Sequence, residues 1–189
     1  MLKNKKQKLP GDLSKSQKIE RMIRVNHAGE YGAKRIYEGQ IAVTKSPKSK
    51  AIFKEMLLHE KEHLDFFENE IINRNVRPTI FQPIWHIAGF ALGATTALFG
   101  HKTAMACTVA VEEVIDEHYK SQLEDLKSSE DLDKNELCIM SKIEKFRKDE
   151  INHKNIGLKA GAKKIYGYDL ISNSIKTGSK VAIWLSKRF

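Results

Sequence analysis

Residues 53–71 read FKEMLLHEKEHLDFFENEI, and this stretch decides the fold. Its apolar residues recur at the three- and four-residue spacing of one helix face, from Phe53 to Ile71. Glu60 and His63 interrupt that face one turn apart. An unpaired carboxylate buried there would cost several kcal/mol unless a cation or hydrogen bonds compensated it. The spacing predicts a helix whose Glu60 and His63 bind a metal ion together.

The same Glu-x-x-His pattern recurs at Glu150 and His153, again on an apolar helix face. A single copy is weak evidence, because helices rich in Glu and His produce such pairs by chance. The spacing-four pairs Glu55/His59 and Asp149/His153 show how readily they arise. Two copies on two apolar faces are more specific, provided that other helices supply further ligands.

Two further long helical patterns each carry a glutamate on their apolar face, Glu30 in the first and Glu112 in the other. One glutamate from each of two helices plus Glu-x-x-His from two more is the ligand pattern of di-iron carboxylate bundles. Four carboxylates balance two divalent cations, and oxygen and nitrogen ligands without thiolate favour iron or manganese over structural zinc. The choice between iron and manganese stays open. The predicted metal ligands are Glu30, Glu60, His63, Glu112, Glu150 and His153.

Helical periodicity along the chain predicts an all-α, ferritin-like four-helix bundle with additional short apolar and amphipathic helices. The chain divides into a basic, flexible N-terminal tail over residues 1–18 and one di-iron domain over residues 19–189. The four long helices are expected over about residues 16–45, 47–73, 102–127 and 134–165. Ser128, Ser129 and Asp131 are the cap candidates in the last turn between them.

Residues 84–99 form an apolar segment that is short for a membrane span, so it is expected to be buried, interfacial or re-entrant. Its Gly89 and Gly93 would let another helix approach closely. Residues 170–189 fit both an amphipathic interfacial helix and a terminal helix packed on the bundle.

The composition places the chain among globular proteins with a basic surface: Lys and Arg total 33 against 24 Asp and Glu, a net charge of +9. This charge fits codon bias and solubility or attraction to an anionic membrane, while no motif accompanies it that would indicate nucleic acid. Cys107 and Cys138 form no metal-binding or disulfide pattern, which favours a reducing compartment. No signal or transit peptide is recognisable.

Several residues near the predicted ligands have alternative interpretations. Glu113 would replace Glu112 as a ligand if the helix were rotated, although a solvent-facing role is favoured. His27 lies one turn before Glu30 and is expected to hydrogen bond a ligand rather than bind metal. Tyr119 shares the face of Glu112 and His118 adjoins it; both are candidate catalytic residues, Tyr119 for proton or electron delivery. An aromatic core residue with a bonded hydroxyl is the simpler interpretation of Tyr119.

Five stretches of the chain carry a family resemblance: RVNHAGEYGA at 24–33, EKEHL at 60–64, AMACTVAVEE at 104–113, HY at 118–119 and FRKDEINH at 146–153. Together they resemble the demethoxyubiquinone hydroxylases of ubiquinone biosynthesis, and the resemblance runs from about residue 19 to the end. The first and third stretches distinguish this family from ferritins and other di-iron bundles.

The resemblance implies a membrane-associated di-iron monooxygenase that inserts one atom of O2 into the ring of a polyprenyl demethoxyubiquinol, the penultimate step of ubiquinone biosynthesis. The family's ligands fall on the six residues selected above, with Glu60 and Glu150 bridging two irons and Glu30 and Glu112 terminal. Electrons would come from NADH or another reductant. Further implied are a peripheral position on the cytoplasmic side of the cell membrane, or on the matrix side of the inner membrane if organellar, partner proteins of the pathway and a homo-oligomer.

Two other functional classes compete with this interpretation. An iron-storage or iron-binding ferritin-like protein could share all six ligands, but its hydrophilic exterior is at odds with the apolar segment 84–99. A di-iron oxidase acting on another membrane quinol is the closer alternative, because pocket shape sets the choice of substrate.

Overall fold

The computed structural model describes residues 11–129 and 132–189. Within these residues the chain forms helices and no strand, which confirms the all-α prediction. The helices are α1 (Lys15–Val43), α2 (Pro47–Asn73), α3 (Gln82–Leu98), α4 (His101–Lys127), α5 (Lys134–Lys159) and α6 (Tyr168–Ser186), with a short 3₁₀ helix at Ala162–Lys164.

Side-chain caps set the starts of three helices. Ser14 caps α1 in a reciprocal capping box with Gln17, and Ser46 caps α2 with a proline in its first turn. The cap of α5 is Asp133, paired with Glu136, rather than a residue of the predicted set. Of that set, Ser128 ends α4, Ser129 follows it, and Asp131 lies outside the described residues.

The prediction that the last long helix continues to Ile165 is wrong. α5 ends at Lys159, and Gly161 then adopts a φ of 89°. This left-handed conformation suits glycine and stops an α-helix. The chain turns there and begins α6 at Tyr168.

Two antiparallel hairpins, α1–α2 and α4–α5, form the four-helix body. Each hairpin carries one extra helix: α3 packs on α1, and α6 packs on α4. The buried apolar residues form two main clusters at opposite ends of the body. One contains Ile23, Phe67 and Phe146, and the other contains Phe53 and Met105. The predicted ligands lie between these clusters.

α1 and α3 approach so closely that glycine is required at their contact. A Cβ on Gly93 would lie 1.9 Å from the carbonyl oxygen of Ile36, and one on Gly39 would lie 2.2 Å from that of Phe90. The close approach expected from Gly89 and Gly93 is therefore confirmed, with α1 as the partner helix.

The outer faces of α3 and α6 expose large apolar side chains. Ile87 is 71% exposed on α3, and Trp184 is 51% exposed on α6. The inner face of α6 buries Ile175 against the body. In the described ranges, every helix falls short of the length and apolar character that crossing a membrane requires.

The described residues begin at residue 11, inside the tail expected over residues 1–18. α1 begins at Lys15, so the last residues of the range 1–18 are helical, and residues 1–10 lie outside the described part. The division into a tail and one domain stays a prediction.

Candidate metal centre

The structure brings all six predicted ligands together in the middle of the bundle. Each side chain is at most 3% exposed. They form two overlapping groups, and in each group one potential ligand atom per residue lies within 4.8 Å of the others. The groups share Glu60 and Glu150. The first is Glu30, Glu60, His63 and Glu150, and the second is Glu60, Glu112, Glu150 and His153.

Each histidine turns its Nδ1 atom toward the carboxylates. Nδ1 of His63 lies 3.0 Å from Glu150 Oε1 and 3.4 Å from Glu30 Oε2. Nδ1 of His153 lies 3.2 Å from Glu60 Oε1 and 3.3 Å from Glu150 Oε2. Glu150 therefore faces both histidines, and Glu60 faces His153 and belongs to both groups, as shared ligands of two metal ions would.

Seven potential ligand atoms of this centre are buried without a hydrogen-bond partner among the described residues. Several of these atoms contact one another only as carboxylate–imidazole ion pairs, and so many buried polar atoms outside hydrogen bonds would be costly in a core that held nothing between them. Two divalent cations would satisfy these atoms and balance the four carboxylates, so the residues fit a dinuclear metal centre. The atoms are both oxygens of Glu60 and of Glu150, Oε2 of Glu112, and Nδ1 of His63 and of His153.

Burial and mutual repulsion raise the pKa of two of the four carboxyls, those of Glu60 and Glu112. Burial, followed by the charge of Glu150, raises the pKa of Glu60 well above its usual value. The same two causes raise the pKa of Glu112. Protons would therefore compete with metal ions for these oxygens, and the metal affinity of such a centre would fall as the pH is lowered.

Two tyrosines hold the outer glutamates across the bundle. Tyr119 on α4 donates its hydroxyl to Glu30 Oε1 on α1. Tyr37 on α1 donates to Glu112 Oε1 on α4 at 2.6 Å. Burial, and after it the neighbouring carboxylate, raises the pKa of each tyrosine well above 10. Both phenols thus stay protonated and can donate to the glutamates.

Tyr37 was missed as a site residue, although the sequence contained a signal for it. Tyr37 follows Glu30 by seven residues, as Tyr119 follows Glu112. The spacing of seven repeats one helix face, so both tyrosines had to lie on the ligand side of their helices. The crossed pairing between helices was not evident from either segment alone.

The far nitrogen of each histidine also has a partner. Nε2 of His63 lies 3.2 Å from Asp149 Oδ2, and Nε2 of His153 lies 3.0 Å from His59 Nδ1. Sequence reasoning treated His59 and Asp149 only as members of chance pairs. Their positions immediately before the two Glu-x-x-His motifs were the available signal.

His118 lies in a polar network beside the centre and is held neutral. Gln122 donates from Nε2 to His118 Nε2 at 2.7 Å and exchanges two hydrogen bonds with Asn26. Burial lowers the pKa of His118 to about 3. The catalytic roles predicted for His118 and Tyr119 stay predictions.

The alternatives for Glu113 and His27 are resolved by their contacts. Glu113 points away from the centre and pairs with Lys176 of α6, so the helix is not rotated. The expected hydrogen bond from His27 to a ligand is absent among the described residues. Nδ1 of His27 has no partner there, and Nε2 lies 3.9 Å from Glu68. Burial lowers the pKa of His27 to about 4.

An apolar cavity of about 470 Å³ lies between α1, α3, α4 and α6. Gly29, next to Glu30 in the chain, lies in its wall, and Ile36, Leu92 and Ile183 contribute apolar side chains. Cavities of this size and character accommodate apolar small molecules.

An all-helical bundle whose core holds two carboxylate–histidine groups is the architecture of the di-iron carboxylate class. Within that class, the model of the family described as "Ubiquinone biosynthesis protein COQ7" matches residues 17–186. The chain belongs to this family.

Curated relatives match over most of their length. A 3-demethoxyubiquinol 3-hydroxylase of Rhodospirillum rubrum is 44% identical over 187 residues, which cover 98% of this chain and 85% of the relative. The mitochondrial NADPH-dependent 3-demethoxyubiquinone 3-hydroxylase of Dictyostelium discoideum is 49% identical, covering 92% and 79%. The human protein of the same name is 46% identical, covering 90% and 77%.

Proposed function

We propose that this chain is a di-iron monooxygenase that hydroxylates the ring of a polyprenyl demethoxyubiquinol in ubiquinone biosynthesis. The observation that carries the proposal is a buried four-carboxylate, two-histidine centre in a member of this family, together with an apolar cavity whose lining includes Gly29 and Val111, the chain neighbours of Glu30 and Glu112. Glu30, Glu112 and the two Glu-x-x-His motifs would hold two iron ions. When bound, the iron pair would supply the electrons that activate O2.

The reaction balances with an external reductant. One oxygen atom of O2 enters the quinol ring, and the other leaves as water with two electrons and two protons. Several of the relatives are named as NADPH-dependent hydroxylases. A reduced nicotinamide, NADH or NADPH, is accordingly the proposed electron source for this chain.

The residues around the centre have separate parts in this reaction. Tyr37 and Tyr119 orient the outer glutamates through their hydroxyl hydrogen bonds. The cavity walls would keep water from an apolar ring and prenyl tail and would place the ring beside Gly29, which precedes Glu30 in the chain. Positioning of this kind is worth several kcal/mol of activation free energy when the reacting atoms are held close.

The exposed apolar side chains of α3 and α6 support docking on a membrane, where a polyprenyl quinol resides. Ile87 and Trp184 are expected to enter the lipid surface. Replacing both with glutamate should abolish flotation of the protein with anionic liposomes. Leu58 is 65% exposed on α2 and supplies a matched control, Leu58→Glu, that should still float. If Leu58→Glu lost flotation to the same extent, the docking surface would not be the outer faces of α3 and α6.

Iron storage is not favoured, since the matching relatives are named as hydroxylases. The peripheral location on the cytoplasmic or matrix side, the homo-oligomer and the partner proteins stay predictions. Light scattering of the purified chain would measure its oligomeric state.

The reaction is tested with the iron-loaded chain, a short-tailed demethoxyubiquinol, a reductant and ¹⁸O2. Mass spectrometry should find one ¹⁸O atom in the ring of the product. His63→Ala should give no product, because it removes a proposed ligand. An unchanged quinol in the presence of two bound irons, or an oxygen derived from water, would contradict the proposed reaction.

A further inference from the structure

The two halves of the centre match in their carboxylates. Each half has one glutamate from α1 or α4, Glu30 or Glu112, and one oxygen of that glutamate accepts a tyrosine hydroxyl. Both halves share Glu60 and Glu150. A difference between the two metal positions must therefore come from beyond these carboxylates.

The partners of the histidines supply such a difference. His63 Nε2 faces the carboxylate of Asp149 at 3.2 Å, while His153 Nε2 faces the imidazole of His59 at 3.0 Å. The rings of His59 and His153 are coplanar within 6°, with centroids 5.2 Å apart. The nitrogens thus meet edge to edge, in the geometry of an N–H···N hydrogen bond.

His59 and Asp149, the partners of the two histidines, occupy equivalent positions in their helices. His59 immediately precedes Glu60 on α2 and reaches across to α5, and Asp149 immediately precedes Glu150 on α5 and reaches across to α2. With its Nδ1 on a cation, each ligand histidine keeps a proton on Nε2 and donates it to this partner. One acceptor is an anion and the other is a neutral ring.

We propose that Asp149 and His59 are positioning residues that make the two metal positions unequal, so that the position at His63 binds its divalent ion more tightly and fills first. A hydrogen bond to a charged acceptor is roughly twice as strong as a neutral one and makes the imidazole a better ligand. The negative charge of Asp149 also attracts the cation. This inference rests on the proposed metal centre.

The test is an anaerobic titration of the metal-free full chain with Mn²⁺, in which electron paramagnetic resonance measures both free Mn²⁺ and coupling between bound ions. The wild-type chain should bind two ions in two steps. The first should give the signal of an isolated ion, and the second the signal of a coupled pair. His63→Ala should remove the tighter step, whereas His153→Ala should keep it.

Variants of the two acceptors should act on different steps. Asp149→Asn should weaken the first step about tenfold or more, the range typical of such partners. His59→Phe should weaken the second step by a similar factor, while His59→Gln, whose amide oxygen can accept the same proton, should restore most of it. His59→Asp should strengthen the second step and bring the two steps together.

Asp65→Asn is the control for loss of a carboxylate, because Asp65 is exposed on the same helix as His59. It should leave both steps unchanged, and circular dichroism should show that each variant is folded. Two equal steps in the wild-type chain, or the same step weakened by Asp149→Asn and His59→Phe, would overturn the inference. A wild-type chain that binds no pair of ions would contradict the metal centre itself.

Discussion

Replacing Gly93 with alanine should loosen the contact between α1 and α3, which forms one wall of the cavity. The new Cβ would lie 1.9 Å from the carbonyl oxygen of Ile36 and 2.7 Å from its carbonyl carbon, whereas ordinary contacts begin at 3.4 Å. The helices must therefore separate by about 1.5 Å at this point. Because both obstructing atoms belong to the backbone, no side-chain rotation can relieve the overlap.

The expected loss of stability follows from two opposing effects. Overpacking of this kind costs about 1–3 kcal/mol, and a backbone clash belongs at the upper end. Alanine recovers up to about 1 kcal/mol because it is a better helix former than glycine. The net loss is about 2 kcal/mol, which lowers the melting temperature of a chain of this size by about 4–8 °C.

Gly32→Ala in α1 and Gly178→Ala in α6 are matched controls. A Cβ at either position meets no atom of the described residues within 4 Å, so each variant should be unchanged or stabilised by up to about 1 kcal/mol. Thermal unfolding of the metal-free proteins followed by circular dichroism measures all three. A Gly93→Ala protein as stable as the Gly32→Ala protein would refute the close packing of α1 on α3.

Three further predictions concern the centre and its surroundings. Glu112→Ala should lower the amount of bound metal, while Glu113→Ala should leave it unchanged, because Glu113 pairs with Lys176. Metal analysis after anaerobic loading measures both variants. The reverse result would mean that α4 presents Glu113 rather than Glu112 to the centre. Tyr37→Phe and Tyr119→Phe should each weaken metal binding about tenfold, because each leaves one outer glutamate without its hydroxyl donor. Unaltered binding in both variants would show that the tyrosines do not position the glutamates for the metal. His118, whose pKa falls from about 6.5 when unfolded to about 3 when folded, takes up a proton more readily in the unfolded chain. The protonation of His118 in the unfolded chain should therefore lower the free energy of unfolding by about 1.4 kcal/mol for each pH unit as the pH falls from 6.5 to 3. Unfolding by urea across that range should show a shallower decline for His118→Asn, and an equal slope would exclude His118 as a cause.

The sequence predicted which six residues meet in the middle of the bundle, because each lies on a helix whose apolar face is readable from spacing alone. The position of Glu112 seven residues before Tyr119, for example, places both on the inner side of α4. Helical periodicity also located the long helices. The start of α2 was readable as well, because a cap such as Ser46 is a local sequence signal.

Features that depend on contacts between helices were not predictable in the same way. The pairing of His59 with His153 joins residues 94 positions apart, and the hydrogen bond of Tyr37 to Glu112 joins residues 75 apart. Such pairings depend on how the hairpins are placed against each other. The early end of α5 had a local cause, the left-handed Gly161, but the periodicity beyond it concealed the break.

If Glu60 and Glu150 are shared ligands of two metal ions, a crystal structure of the anaerobically iron-loaded chain, with anomalous diffraction collected at the iron absorption edge, will show two adjacent anomalous peaks. One peak should lie beside Nδ1 of His63 and the other beside Nδ1 of His153. A single peak, or peaks only at surface carboxylates, would contradict this arrangement.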